Sequence, residues 1–192
     1  MREYEIDHDT FIGGWYMPEE VCDSVVDVLN SEQDKLVDGE CGRGLNPEWK
    51  KCKDLYVPPN EFGKISKYLD NLSVCLDLYK ERYPFCDEVG VYSLKDNNIK
   101  IQHYMPGDGF YKWHMENGGI GKSLYRHLTF MTYLNTLDNA GTEFYYQKTT
   151  TPCEKGLTII WPATWTHTHR GVTNYKGEKS IITGWFSFHA DQ

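Results

Sequence analysis

Two kinds of hydrophobic spacing divide this chain. In "PEEVCDSVVDVLNSEQ", which opens at Pro18, Val21, Val25, Val28 and Leu29 fall on one helical face. Two glutamates sit in the first turn, where a helix dipole favours acids. A loop with Gly39, Gly42 and Gly44 follows, and "CKDLYV" then reads as a short strand ended by Pro58-Pro59. The segment "NEFGKISKYLDNLSVCLDLYKERY" places Phe62, Ile65, Leu69, Leu72, Leu76 and Tyr79 at helical spacing, after an Asn60 able to cap it. From about residue 89 the period changes. "VGVYSL", "NIKIQHYM", "FYKWHME", "HLTFMTYLN", "TEFYYQK", "GLTIIWP" and "SIITGWFSFH" are short, β-branched and aromatic, with Gly, Asn, Asp and Pro between them. That is the pattern of an antiparallel sandwich or barrel. The expectation is a mainly-β chain with N-terminal helices. It forms one domain over residues 1–192, with a helical region (1–88) leaning on a β-core (89–192).

Composition narrows the function classes. A length of 192 residues suits one domain. Aromatics make up 15% of the chain, which fits ring-rich strands or a site walled by rings. The net charge of −8 argues against a nucleic-acid backbone as the main partner. Cys22, Cys41, Cys52, Cys75, Cys86 and Cys153 form no CxxC pair and suggest no zinc ribbon. The N-terminus "MREYEIDHDTF" is acidic and polar, unlike a secretory signal. Free thiols in a reducing cytosol are therefore expected. No apolar run approaches the roughly 20 residues of a membrane span.

The chemistry concentrates in two stretches. In "YKWHMENGG", His114 and Glu116 are two residues apart, so on a strand they share a face, about 7 Å apart along its axis. Alone, such a triplet equally describes a polar edge. "WPATWTHTHRGV" adds a second such pair, His167 and His169, beside Trp161 and Trp165 and directly after an apolar strand and a turn. Two imidazoles and one carboxylate make the facial triad that suits non-haem Fe(II) and leaves positions open for a cosubstrate and O₂. Lys179 follows His169 by ten residues, and a hairpin through Asn174-Tyr175-Lys176-Gly177 would bring it alongside the site. A lysine pointing into an apolar barrel needs an anionic partner, which a dicarboxylate would supply. A solvated strand-end lysine is the plain alternative.

"HYMPGDGFYKWHME", "RHLTFMTYLN", "AGTEFYY", "GLTIIWPATWTHTHRGV" and "GEKSIITGWF" occur in that order over roughly residues 97–188. In this the chain resembles the 2-oxoglutarate and Fe(II)-dependent dioxygenases, most closely the prolyl 4-hydroxylase-like group with its phage and bacterial members. The resemblance implies a double-stranded β-helix, a cupin-like jelly-roll. It implies hydroxylation of a C–H bond, at the family level that of a prolyl residue in a peptide or protein, with decarboxylation of 2-oxoglutarate to succinate. The cofactors implied are Fe(II), 2-oxoglutarate and O₂, with ascorbate as an optional auxiliary. His114, Glu116 and His169 match the iron ligands, and Lys179 matches the base that pairs with the far carboxylate of 2-oxoglutarate. Tyr104, Tyr133 and Thr183 are the further candidates for the cosubstrate pocket. His167 remains the alternative to His169; the glycine after the intervening arginine and the ten-residue spacing to Lys179 favour His169. Trp113, Tyr111, Trp161 and Trp165 are candidate wall residues, and each could equally be barrel core. Loops 39–60 and 117–126 could shape a groove for a peptide, protein or small-molecule substrate. The partners expected exclude nucleic acid and membrane, and the assembly is a monomer or homodimer in the cytoplasm.

One residue departs from the family pattern. The usual motif is HxD, and here it is HxE, with a carboxylate one methylene longer. That departure favours the rival reading of a non-catalytic cupin-like binding module. A zinc deaminase would need PCxxC, but Pro152-Cys153 continues as Glu154-Lys155-Gly156. No HExxH is present, which removes the common metalloprotease signature.

Overall fold

A computed structural model of the chain describes residues 1–42, 44–94 and 97–189. In chain order the elements are β1 (Arg2–Glu3), β2 (Gly13–Tyr16), α1 (Glu19–Ser31), β3 (Val37–Asp38), β4 (Lys50–Lys51), β5 (Lys53–Val57), α2 (Ser66–Arg82), β6 (Tyr92–Ser93) and β7 (Ile99–Tyr104). There follow β8 (Gly109–Phe110), β9 (Arg126–Tyr133), β10 (Leu137–Phe144), β11 (Thr149–Cys153), β12 (Leu157–Pro162), β13 (His169–Gly171) and β14 (Lys179–Phe188). The major sheet runs β1-β2-β12-β9-β14-β7-β5-β3, with β6 paired to β14. A minor sheet runs β11-β10-β13, and β4 pairs β8. This is the double-stranded β-helix architecture, left open rather than closed into a barrel.

The helices follow their apolar spacing. Pro18 precedes α1, Glu19 and Glu20 fill its first turn, and Val21, Cys22, Val25 and Leu29 are buried. In α2 the buried face is Tyr68, Leu72, Cys75 and Tyr79. Asn60 does not cap this helix. Pro58 and Pro59 open a 3₁₀ turn over Pro59–Ile65 instead, and α2 starts behind it with no side-chain cap. A proline at the first turn sets φ for tight winding and donates no hydrogen bond. Among the described residues no helix is long and apolar enough to cross a membrane.

Strand alternation then sorts the major sheet into two faces. Leu55, Ile99, Ile101, Leu128, Phe130, Ile160, Ile182 and Phe186 join α1 and α2 in one buried cluster. Tyr104, Met131, Tyr133, Ile159, Trp161 and Ile181 form a second cluster with Ala140 and Phe144 of the minor sheet. The helices therefore cover one face of the major sheet, and the other face meets the minor sheet.

Two sequence expectations are corrected. "FYKWHME" is not a continuous strand: β8 ends at Phe110, and His114 joins the ladder only as an isolated bridge to His169. The cause is a competing acceptor, because the N–H groups of Tyr111 and Lys112 both turn to the carbonyl of Trp49, at 2.9 and 3.3 Å. The connection from His169 to Lys179 is also not a hairpin. β13 pairs β10 in the minor sheet, whereas β14 lies in the major one. Asn174 turns the chain between them by accepting from the N–H groups of Lys176 and Gly177.

Candidate active site

The bridge between His114 and His169 builds the centre of the site. Each residue's N–H donates to the other's carbonyl, at 3.0 and 2.9 Å. The imidazole Nδ1 of His114 donates to the Lys112 carbonyl at 3.0 Å, and Nδ1 of His169 donates to the His167 carbonyl at 2.8 Å. A carbonyl only accepts, so these bonds engage Nδ1 as a donor and leave Nε2 as the nitrogen directed at the cluster in both rings. Both Nε2 atoms face Oε1 of Glu116, at 3.6 and 3.4 Å. Aromatics hold the rings in place. His114 lies flat on Phe110, with centroids 3.5 Å apart, and His169 meets Trp161 edge-on at 5.1 Å.

Glu116 is set by backbone contacts. Its N–H and that of Asn117 both donate to the Ala163 carbonyl, at 3.2 and 2.8 Å. Its Oε2 accepts from Nε1 of Trp185 at 2.9 Å and from Nη1 of Arg126 at 3.3 Å. Burial works to raise its pKa, but the two facing imidazoles hold the carboxyl well below the usual carboxylate range. Burial, and then the neighbouring His169, push His114 below its usual value. The site thus favours an ionised carboxylate at Glu116. Single donor atoms of His114, Glu116 and His169 all lie within 4.8 Å of one another. Two imidazole nitrogens and a charged oxygen converging on one point fit a divalent transition metal.

His167 stands apart. Its Nε2 bonds the Thr10 carbonyl at 2.9 Å and its Nδ1 bonds the Thr166 hydroxyl at 3.0 Å, so both nitrogens are engaged away from the cluster. Asp108 pairs with Lys51 at 2.8 Å.

A cavity of about 780 Å³ joins the cluster to Lys179, Tyr104, Tyr133 and Thr183. Lys179 and Tyr104 are direct partners on β14 and β7, while Tyr133 faces Ile181 and Thr183 faces Met131 across β9. Lys179 is buried, with Nζ 3.1 Å from the Ala140 carbonyl and 3.4 Å from that of Val172. A shift of register in β10 near Ala140 accompanies this aim, and Gly141 there approaches Thr151 so closely that a Cβ would collide with its carbonyl. Burial lowers the Lys179 pKa. The other three hydroxyls are already committed. Tyr104 donates to Oε1 of Gln102 at 3.0 Å, and Thr183 donates to the Phe130 carbonyl at 2.8 Å. The Tyr133 hydroxyl sits between those of Thr142 and Thr151, at 2.7 and 2.8 Å.

Of the candidate wall residues, Trp113 and Trp161 line the cavity; Trp165 is exposed, and Tyr111 turns its hydroxyl to the Gly107 carbonyl. Glu40, Cys41, Gly42 and Trp49 from one loop, and Gly118, Ile120, Gly121 and Ser123 from the other, complete the lining. Arg170 pairs with Glu143 at 2.9 Å and its guanidinium lies over Trp113. The structure adds residues not singled out from the sequence. Lys100 and Gln102 alternate with Ile99 and Ile101 on β7 and so face the cavity with Tyr104. Behind them the fully buried Asp54 binds Nζ of Lys50 at 2.9 Å, Nε2 of Gln102 at 2.9 Å and Sγ of Cys52 at 3.0 Å. Period-two alternation in "IKIQHY" marks such a polar face, but that signal alone reads as solvent exposure.

Comparison with known proteins agrees with this chemistry. Residues 99–187 match the family model of the 2OG-Fe(II) oxygenase superfamily. No curated protein shows a significant sequence match. A Pseudomonas putida prolyl-4-hydroxylase superposes with a TM-score of 0.70 at 14% identity, covering 93% of both chains. A viral collagen prolyl hydroxylase from Paramecium Bursaria Chlorella virus-1, solved with 2-oxoglutarate, gives 0.68 at 19%, covering 93% of this chain and 97% of that one. A Trichoplax adhaerens prolyl hydroxylase, bound to a hypoxia inducible factor peptide fragment, gives 0.71 at 18%, covering 93% and 84%. Residues 99–187 thus belong to the 2OG-Fe(II) oxygenase superfamily, on a prolyl 4-hydroxylase-like fold. That superfamily is one of dioxygenases whose cofactors are Fe(II), 2-oxoglutarate and O₂. A non-catalytic binding module is not favoured.

Proposed function

We propose that the protein hydroxylates a prolyl residue in a peptide or protein, with His114, Glu116 and His169 holding Fe(II) and Lys179 receiving the far carboxylate of 2-oxoglutarate. The observation that carries this reading is one cavity containing both the three-ligand cluster and a buried lysine that no carboxylate among the described residues neutralises. When bound, iron and 2-oxoglutarate supply an oxidant that inserts oxygen into a C–H bond, with succinate and CO₂ as by-products. The chain's own residues bind and orient. The Lys179 ammonium is desolvated, which strengthens its attraction for a carboxylate. Tyr104, Tyr133 and Thr183 add polar wall beside it. Phe144 and Trp161 pack on His169 and exclude water from that side of the cluster. The substrate reaches the cluster between the loops that carry Trp49 and Ile120.

A peptide substrate is supported by the peptide complex of the Trichoplax relative. The second reading is a free amino acid, favoured by Lys100 and Lys112 at the cavity, which would meet its carboxylate. Residues 1–88 and 89–192 are read as one domain, supported by β2 and β5 sharing a sheet with β9 and β14. Six free cysteines support a reducing, cytoplasmic setting. The test is succinate release from 2-oxoglutarate with proline-containing peptides and free amino acids, with the product weighed for one added oxygen. Stimulation by peptides and a hydroxylated proline are expected. Stimulation by a free amino acid alone would replace this reading with the second one.

A further inference from the structure

Glu116 stands where the family resemblance leads one to expect aspartate, and the structure contains an arrangement that accommodates the longer side chain. The two carboxylate oxygens face different neighbours. Oε1 points at the Nε2 atoms of His114 and His169, at 3.6 and 3.4 Å. Oε2 points away and accepts from the Trp185 indole at 2.9 Å and the Arg126 guanidinium at 3.3 Å. These two donors support each other, because the guanidinium lies 3.5 Å over the Trp185 ring. Arg126 also donates to the Glu116 carbonyl at 2.8 Å, so it grips backbone and side chain together. Trp185 is buried on β14, six residues beyond Lys179 on the same face, and pairs with Thr129 of β9, the strand that Arg126 opens. Both clamp residues therefore lie on adjacent, paired strands of the major sheet.

We infer that Trp185 and Arg126 are positioning residues that occupy Oε2 of Glu116, so that the carboxylate offers the metal one oxygen, Oε1. This rests on the reading of His114, Glu116 and His169 as the metal ligands. A carboxylate with two free oxygens could rotate or chelate through both, taking a position that the cosubstrate or O₂ needs. Fixing Oε2 removes that freedom and takes up the extra methylene in a bond to the sheet. An aspartate here would be too short to reach the clamp and the metal point together. The clamp and the glutamate should thus depend on each other.

The test is Mn(II) binding to the full chain without 2-oxoglutarate, followed by loss of the free-ion EPR signal. Trp185→Phe keeps a ring for Arg126 and removes only the N–H donor. It should weaken Mn(II) binding about tenfold, the lower end for loss of a partner that orients a ligand. Arg126→Gln should act in the same direction and carries the test if the tryptophan variant shows no cooperative melt. Glu116→Asp should itself weaken binding, and Trp185→Phe added to it should cost less than about twofold more. That loss of effect in the aspartate background is something a general packing role would not produce. Equal losses in both backgrounds, or Mn(II) affinity within about twofold of wild type for Trp185→Phe and Arg126→Gln, would overturn the inference while leaving the ligand assignment intact. Unchanged Mn(II) binding in Glu116→Ala would instead remove the ligand assignment, and the inference with it.

Discussion

Replacing Lys179 should separate cosubstrate binding from folding. Lys179 is 6% exposed, and the described polar partners of its ammonium are the carbonyls of Ala140 and Val172. A bound 2-oxoglutarate would supply the full countercharge that the lysine lacks. Truncating one member of a buried charge pair costs about 2–5 kcal/mol of binding. The two carbonyls already solvate the ammonium in part, so the lower end applies, about 2–3 kcal/mol, or roughly 30- to 150-fold. Lys179→Met should raise KM for 2-oxoglutarate by that factor in a succinate-release assay. It should not lower the melting temperature of the cosubstrate-free protein, because a methionine of similar length removes a desolvated charge. The thermal shift that 2-oxoglutarate induces in the Mn(II)-loaded protein should disappear. The pH dependence follows with its sign. Burial lowers the lysine pKa below 10.5, and the protonated form is the one that binds. Affinity is therefore full below the lowered value and falls as pH rises through it, earlier than for an ordinary lysine. A KM within about threefold of wild type in Lys179→Met would refute the assignment.

His114→Ala should abolish metal-dependent succinate release and remove the stabilisation that Mn(II) gives in a thermal melt; retained turnover would move the ligand elsewhere. Asp54→Ala leaves Lys50 buried without its carboxylate and should cost about 3–5 kcal/mol in urea unfolding. Asp38→Ala, which breaks the exposed pair with Lys53, should cost under about 1 kcal/mol, and equal losses would contradict the burial argument. His127 is held below its usual 6.5 by burial. Its contribution is whole above about pH 6.5 and lost as pH falls, since the unfolded chain takes up the proton first. His127→Gln should flatten that acid limb of stability measured by denaturant titration, and an unchanged slope would count against it.

Much of this was legible along the chain, for local reasons. The helical period carried α1 and most of α2, because their buried positions recur every three to four residues. β7, β9, β12 and β14 showed as β-branched and aromatic runs. β2 stayed hidden because its "GGWY" holds two glycines, which have low strand preference. The 3₁₀ entry to α2 was missed because Asn60 has the chemistry of a cap, while the prolines before it decide the winding.

The sequence by itself determined the donor types, their order and their spacing: an imidazole and a carboxylate in one stretch, two imidazoles in the next, and a lysine ten residues on. Tertiary structure alone decided how they meet. His167 and His169 are alike in sequence, and only the bonds of His167 to Thr10 and Thr166 turn one of them outward. His114 and Glu116 converge without the strand that the spacing implied, because a bridge to His169 and two bonds to Ala163 hold them. Trp185 and Arg126 lie 69 and 10 residues from Glu116, too far for any local pattern to connect both with it. Periodicity records which residues share a face. Which face meets which element is set by long-range burial, and the site was assembled at that level.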